Sequence, residues 1–225
     1  MRSRKARSRP AALVAAVALL LVAALPAPAG EERGAVPGRF DYWVLALSWS
    51  PGWCAVEGAA RSSPQCAPGA RRGWVLHGLW PQRERGWPAW CPSPYRPPSR
   101  SRTRAEAEVF GTAGNAWHQW RKHGSCSGLD PDGYYRLARE ALARIRLPGV
   151  FSRLPRDVRL DPELVERAFR EVNPGLDDAE AVVVCRGEVV TELRICLDRR
   201  LEPRRCGPEV GRDCSLRRAL MPAPG

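Results

Sequence analysis

Lysine is nearly absent from this sequence, and histidine is rare. The 225 residues include 36 basic residues and three histidines, but only Lys5 and Lys122 are lysines. The longest apolar run, residues 11–25, has 15 residues, which is shorter than the ~18–20 residues of a transmembrane helix. No C-x2-C pair and no H-E-x-x-H motif is present. These absences argue against a membrane-spanning protein, a zinc-ribbon domain and a zinc peptidase.

The residues that are present favour a folded, basic, exported protein. Hydrophobic residues make up 44% of the chain, enough for a packed core, which excludes a disordered chain. The formal net charge is +12, and a surplus of arginine attracts polyanions such as nucleic acid. Eight cysteines at irregular spacings favour a disulfide-bonded domain in an oxidising compartment over a cytosolic enzyme.

Residues 1–29 have the three parts of a secretory signal peptide. A basic stretch precedes the apolar run, and Ala-Pro-Ala follows it before Gly30. Cleavage there leaves one domain, residues 30–225, with a formal charge of +7, since the leader holds five of the basic residues and no acidic one. An uncleaved anchor is the alternative, but the apolar run is short and a small-residue site follows it. We predict export to the periplasm or the medium.

Hydrophobic patterns predict an α+β domain. The predicted strands are residues 42–48 and 74–76, and a hairpin of residues 181–185 and 188–196. The predicted helices are residues 105–110, 117–123 and 134–145, and one that begins at Asp161-Pro162 and ends near Asn173. Residues 87–104 contain five prolines and are predicted to form a loop. Strands at both ends with helices between them indicate an antiparallel sheet.

The three histidines fall in two short segments, WVLHGLWPQ (74–82) and WHQWRKHGSC (117–126). On a helix, His118 and Lys122 are i,i+4 neighbours, and so are Gln119 and His123. One helical surface would therefore present two imidazoles, an amide and an ammonium group. His77 supplies the third imidazole from the first segment.

This set of side chains fits phosphoryl transfer without a metal ion better than its rivals. A metal site is disfavoured because His118 and His123 are five residues apart and Lys122 lies beside them. Ser125 lies close to His123, but no nucleophile elbow surrounds it. One protonated and one neutral imidazole can act as general acid and general base, while further cations stabilise the transition state. A substrate that carries its own nucleophile, a ribose 2′-OH, points to RNA. The alternative is three structural histidines on a basic surface.

Aromatic and polar residues of the first segment are candidates for substrate binding. Trp80 lies three residues after His77, and we expect its ring to stack on a base, a contact of about 1–3 kcal/mol. Gln82 and Trp74 are further candidates, with a place in the core as the alternative for Trp74.

The cysteines allow many pairings, of which two arrangements are attractive on position alone. One pair nested inside another would staple the C-terminal hairpin, and a third pair would join the loop after His77 to the end of the His118 helix. The pairs concerned are Cys196–Cys206 within Cys185–Cys214, and Cys91–Cys126.

The chain resembles the ribonuclease T2 family, in particular its secreted bacterial members. The resemblance rests on FDYWVLALSWSP (40–51), HGLWP (77–81) and HQWRKHGSC (118–126), and extends to the region 185–214. It implies a ribonuclease T2-like α+β fold, in which helices flank a central antiparallel sheet stapled by disulfides. It also implies cleavage of single-stranded RNA through a 2′,3′-cyclic phosphate. We expect a monomer with no metal or other cofactor.

The resemblance also implies a role for each site residue. His123 would accept the 2′-OH proton, His77 would protonate the leaving 5′-oxygen, and His118 would bind the phosphate. Lys122 would stabilise the charged transition state, and Trp80 would stack on a base. The implied disulfides are Cys91–Cys126 and Cys185–Cys214, with Cys54–Cys66 and Cys196–Cys206 suggested for bacterial members.

Three positions depart from the family pattern. Gln119 stands where the family usually has Glu, so we expect reduced activity or a shifted pH profile, and a faster Gln119→Glu variant. Ser125 replaces Thr, a mild change. Residues 109–117 do not match, which leaves the base-binding wall there undefined. The alternative function is a protein of this fold that has lost catalysis and binds RNA or another protein.

Overall fold

The structure is a computed structural model that describes residues 30–212 and 214–224. The predicted signal peptide, residues 1–29, lies outside these residues. Within the described ranges, no helix is long and apolar enough to cross a membrane.

The described residues form strands and helices that confirm the predicted α+β class. The strands are β1 (Glu31–Arg33), β2 (Tyr42–Trp49), β3 (Trp74–Gln82), β4 (Trp87–Ala89), β5 (Val158–Leu160), β6 (Ala181–Arg186), β7 (Val189–Leu197) and β8 (Ala219–Met221). The helices are α1 (Ser50–Trp53), α2 (Arg100–Ala105), α3 (Ala113–Lys122), α4 (Pro131–Ala143), α5 (Gly149–Ser152) and α6 (Glu163–Val172).

The central sheet has the strand order β3-β2-β7-β8-β5, and β6 also pairs with β7. Its pairs are antiparallel except where β7 meets β8, which run parallel at Val189 and Leu220. Every residue of β2 is buried, as expected for a strand covered on both faces. One face of β2 contributes Leu45 to the main core, and the opposite face contributes Val44 to a smaller cluster that includes Trp80.

A bulge in β3 redirects the first histidine. We predicted a strand over residues 74–76, but β3 continues to residue 82. Ala46 of β2 pairs with Gly78 and Leu47 pairs with Leu76, so His77 has no partner in β2. An extra residue bends the strand and breaks the strict alternation of side chains. Leu76 packs in the main core and His77 lies on the opposite face of the sheet. As a result of the bulge, Trp80 lies on the same face as His77 although the two are three residues apart, and their rings are in contact.

Two helices begin earlier in the structure than the sequence predicts. The sequence predicts a loop over 87–104 and a helix over 105–110, whereas β4 and all but the last residue of α2 lie inside the predicted loop. Helix α2 starts early because the hydroxyl of Ser99 accepts a hydrogen bond from the backbone N–H of Arg102. Likewise α3 begins at residue 113 instead of 117, because Thr112 caps it by accepting from the N–H of Asn115. Capping side chains, not hydrophobic spacing, determine both starts.

Four disulfides join the described cysteines in the pairs that the family resemblance implies. They are Cys54–Cys66, Cys91–Cys126, Cys185–Cys214 and Cys196–Cys206. Cys126 lies in the turn that follows α3, three residues beyond His123. The bridge from Cys91 therefore ties the end of α3 to the segment after β4, next to the second histidine segment.

Candidate active site

Helix α3 packs on β3 and turns its polar residues towards the sheet and towards solvent. Ala116 and Trp120 lie in the main core. Gln119 is only 2% exposed and reaches Trp80 on β3, whereas His118 lies on the exposed side. The i,i+4 arrangement predicted from the sequence is therefore present, with one pair facing inwards and the other outwards.

His123 is a buried imidazole at the end of α3. Its ring stacks on Trp80, with ring centroids 5.1 Å apart and an angle of 25° between the planes. Burial, followed by the positive charges of Lys122 and His77, lowers the pKa of His123 well below its ordinary value. The side chain is therefore neutral at neutral pH and can accept a proton. Among the described residues, its Nδ1 has no hydrogen-bond partner.

His77 is held by a carboxylate that sequence reasoning missed. Its Nδ1 lies 2.5 Å from Oε2 of Glu192 on β7, and the other oxygen of Glu192 accepts from Nε of Arg194 at 2.7 Å. Burial raises the pKa of Glu192, but the positive charges of His77 and Arg194 outweigh it and bring the pKa to about 2. An ionised carboxylate can only accept. Nδ1 of His77 therefore carries a proton, and Nε2 is the nitrogen left to act on a substrate.

His118 and Lys122 lie beside these two histidines. Burial, then the charges of Lys122 and His77, lower the pKa of His118. Nζ of Lys122 lies 3.1 Å from Oε2 of Glu31 on β1. Glu31 was another residue that the sequence gave no reason to select, because it lies just past the predicted cleavage site. Trp80 of the first histidine segment contacts both His123 and Gln119 of the second, so the structure brings the two segments together.

Gln119 takes part in a chain of buried amide hydrogen bonds. Its Oε1 accepts from Nε1 of Trp80 at 2.7 Å, and its Nε2 donates to Oδ1 of Asn115 at 3.1 Å. Nδ2 of Asn115 donates to the backbone carbonyl groups of His77 at 3.2 Å and Phe110 at 2.9 Å. The amide of Gln119 therefore links α3 to the bulge of β3 and is fully engaged by protein groups. Asn115, like Glu31 and Glu192, was not predicted from the sequence.

The surroundings of Trp80 cover most of the ring that we expect to stack on a base. Only 9% of the residue is exposed. His123 covers the ring by stacking, and the guanidinium of Arg194 lies 5.4 Å from the ring centroid. A Cβ atom at Gly78 would come within 2.4 Å of Nε1 of Trp80, so only glycine leaves room for the indole. Trp80 positions two side chains of the second histidine segment: His123 stacks on its ring, and Gln119 accepts a hydrogen bond from its Nε1.

The structure does not bring Trp74 to this cluster. Its ring packs in the aromatic part of the main core, on the face of the sheet opposite His77, against Trp49, Phe151 and Phe169. Trp74 and His77 are three residues apart, so strand alternation places them on opposite faces of the sheet, and the predicted substrate role of Trp74 is not carried further. Gln82 is buried at the end of β3, two residues beyond Trp80 and on the same face by strand alternation.

Two other tryptophans border His118. The ring of Trp90 meets the imidazole edge-on at 5.5 Å, and the guanidinium of Arg33 lies over Trp90. Trp117 is 43% exposed, with the guanidinium of Arg121 over its ring. Exposed aromatic faces beside cations suit contact with nucleobases and phosphates.

The cluster combines a neutral buried imidazole, an imidazole paired with an ionised carboxylate, and two further cationic or basic groups. Such a set can remove one proton, deliver another and stabilise negative charge between them. In residues 30–212 and 214–224, no group of three or more His, Cys, Asp or Glu side chains is arranged to hold a metal ion.

Curated relatives of this chain are ribonucleases. A ribonuclease of Aeromonas hydrophila is 40% identical over 118 residues, which is 51% of this chain and 51% of the relative. A probable ribonuclease of Haemophilus influenzae (strain ATCC 51907 / DSM 11121 / KW20 / Rd) is 30% identical over 129 residues, 52% of this chain and 47% of the relative. The chain thus spans about half the length of the curated relatives it matches.

Solved structures and a family model complete the comparison. An RNase-related protein from Calystegia sepium has a TM-score of 0.62 at 19% identity, covering 82% of this chain and 97% of that one. RNase NT in complex with 5′-AMP has a TM-score of 0.61 at 20% identity, covering 82% and 98%. These two likenesses show a shared fold. The model of the ribonuclease T2 family matches residues 40–206, which include β2 and both histidine segments, and this chain belongs to that family.

Proposed function

We propose that this protein is an endoribonuclease that cleaves single-stranded RNA by transesterification, with the ribose 2′-hydroxyl group as nucleophile and no metal ion. The observation that carries the proposal is the pair of unlike histidines around Trp80. The ring centroids of His123 and His77 lie 5.1 and 5.2 Å from that of Trp80. His123 is neutral and His77 is paired with a carboxylate, which suits a base and an acid.

Each histidine has one proton to move. His123 takes the proton of the 2′-hydroxyl group as its oxygen forms a bond to phosphorus. The bond between phosphorus and the 5′-oxygen breaks, and His77 delivers the proton on Nε2 to that oxygen. The products are a 2′,3′-cyclic phosphate and a free 5′-hydroxyl group. Each proton transfer of this kind contributes about 10²–10⁴-fold to the rate.

Side chains on the outer side of α3 balance the negative charge of the phosphate. His118 and Lys122 lie one turn apart on that side of the helix, beside the two proton-transfer groups. The ammonium group of Lys122 supplies positive charge and the imidazole of His118 supplies a hydrogen-bond donor, and both stabilise the extra negative charge that builds up on the phosphate oxygens in the transition state.

We also propose that the protein acts outside the cytoplasm, after removal of residues 1–29. Four disulfides support this, because such bonds persist in oxidising compartments.

The test uses purified protein with its disulfides intact and an oligodeoxynucleotide that contains a single ribonucleotide, in the presence of EDTA. Mass spectrometry of the ends is expected to find a 2′,3′-cyclic phosphate at the ribonucleotide, and the all-deoxy oligomer is expected to stay intact. Cleavage that needs a metal, cuts DNA or leaves a 5′-phosphate would contradict the proposal. Binding without any cleavage between about pH 4 and 8 would favour the RNA-binding alternative.

A further inference from the structure

We propose that Glu192 is the positioning residue of the general acid: it holds His77 by Nδ1 so that Nε2 carries its proton towards the leaving 5′-oxygen. This inference rests on the proposed function, and it adds a residue from a third strand to the site. Glu192 itself touches neither the reacting phosphate nor the 2′-hydroxyl group in this scheme.

The contact between His77 and Glu192 crosses β2, the strand that lies between their own two strands. β2 lies between β3 and β7, so the two side chains come from strands separated by two spacings of about 4.8 Å. Ala46 and Ser48 face the same side of β2 and are small, and Glu192 is the partner of Ser48 in the register. The bulge aims His77 at this gap. Small side chains and the bulge together let the imidazole meet the carboxylate above β2.

The carboxylate is fixed at both oxygens and is almost fully buried. Oε2 contacts Nδ1 of His77 at 2.5 Å, Oε1 accepts from Arg194 at 2.7 Å, and 9% of the side chain is exposed. The carboxylate of Glu192 therefore has one position, and it holds the imidazole of His77 in one orientation with a proton on Nδ1. This is the arrangement in which a second group sets which nitrogen of a catalytic histidine reacts.

The other charged groups that face His77 are positive or can become so. His118 and His123 lie close enough to His77 for their charges to interact, and Arg194 lies beside Glu192 on β7. Glu192 thus brings a negative charge into direct contact with His77 among these basic groups.

A purely structural ion pair between Glu192 and Arg194 is the competing explanation, and the chain offers a matched control for it. Glu106 is 1% exposed and bonded to the guanidinium groups of Arg102 and Arg139, with no histidine on either oxygen. Glu106→Gln removes a buried charge of the same kind, away from the histidines.

The decisive experiment compares two substrates that differ in leaving group. UpA expels a 5′-hydroxyl group and needs an acid, whereas uridine 3′-(4-nitrophenyl phosphate) expels a phenolate that leaves without one. We expect Glu192→Gln to lower kcat/KM by about 10–100-fold on UpA and by no more than about threefold on the nitrophenyl ester. His77→Ala is expected to show the same selectivity. Glu106→Gln is expected to change neither rate by more than about twofold.

An equal loss on both substrates, or no loss on UpA, would overturn the proposal. A second measurement keeps it testable if Glu192→Gln fails to fold or the wild-type protein fails to cut RNA. A ¹⁵N–¹H spectrum of the wild-type protein should show His77 protonated at Nδ1 and hydrogen-bonded. A wild-type protein that is inactive but shows this signal would contradict the proposed function and would still support the contact between His77 and Glu192. A spectrum with His77 protonated only at Nε2 would refute the contact itself.

Discussion

Changing Gln119 to Glu should destabilise this protein, although Glu is the usual residue of the family at this position. Asn115 uses Nδ2 on the carbonyl groups of His77 and Phe110, so its Oδ1 must face Gln119. Nε2 of Gln119 supplies the donor that this oxygen needs, at 3.1 Å. An ionised glutamate has no donor. The variant therefore places a carboxylate against an amide oxygen inside the protein.

The size of the effect follows from burial. Gln119 is 2% exposed, so water cannot replace the missing donor. An unsatisfied buried acceptor costs about 1–3 kcal/mol, and a loss of about 2 kcal/mol lowers Tm by about 4–8 °C in a chain of this size. A protonated carboxyl group can donate to Asn115, which raises the pKa of the introduced group. The loss is full above that raised pKa and disappears below the unfolded value of about 4.3.

The assay is thermal unfolding of the wild type and of Gln119→Glu at about pH 4 and pH 8, with RNA cleavage measured alongside. We expect a lower Tm at the higher pH, little difference at the lower pH, and slower cleavage near neutrality. The last outcome reverses our expectation from the family pattern. In the background of Asn115→Ala the penalty should shrink, since the opposing oxygen is gone. A variant as stable as the wild type at pH 8, or equally destabilised at both pH values, would refute the reasoning.

Three further predictions follow from the same contacts. Glu31→Gln frees Lys122 from its carboxylate and should raise kcat/KM on RNA at low salt. The control is Glu32→Gln, which should not raise it, because the partner of Glu32 is Arg83. Equal kcat/KM values for the two variants would argue against the contact between Glu31 and Lys122. The free energy of unfolding should fall as pH drops below about 6.5, because the unfolded chain protonates His123 more easily. The free energy of unfolding should fall again as pH drops from about 4.5 towards 2, because Glu192 loses its charge. Denaturant titrations across this pH range test both the His123 and the Glu192 effect. In Glu192→Gln the fall between about pH 4.5 and 2 should be smaller. Replacing Cys91 and Cys126 by Ser should cost about 2–4 kcal/mol in the same assay.

Local patterns account for the parts of this structure that were predictable. A run rich in aromatic and β-branched residues predicts β2, the turn at Arg186-Gly187 predicts the β6–β7 hairpin, and the structure has both. The helical spacing of His118 and Lys122 is also present. The position of Glu192 could not be found in this way, because it lies 115 residues from His77 along the chain. Their contact depends on the strand order and on the bulge, neither of which has a local signature here. The contacts of Trp80 with His123 and Arg194 could not be predicted for a similar reason, because they too join residues far apart in the sequence.

The carboxylates of the candidate site come from outside α3, although the family usually has Glu at position 119. Helix α3 contributes only neutral or positive groups to the site, and the carboxylates come from elsewhere: Glu31 of β1 meets Lys122, and Glu192 of β7 meets His77. Among the described residues, no carboxylate contacts His118. A substrate phosphate therefore competes with Glu31 for Lys122 but with no acidic side chain for His118. In the proposed reaction, His118 is therefore the first residue to bind the phosphate. Glu31 would then be displaced from Lys122 as negative charge builds up on the phosphate.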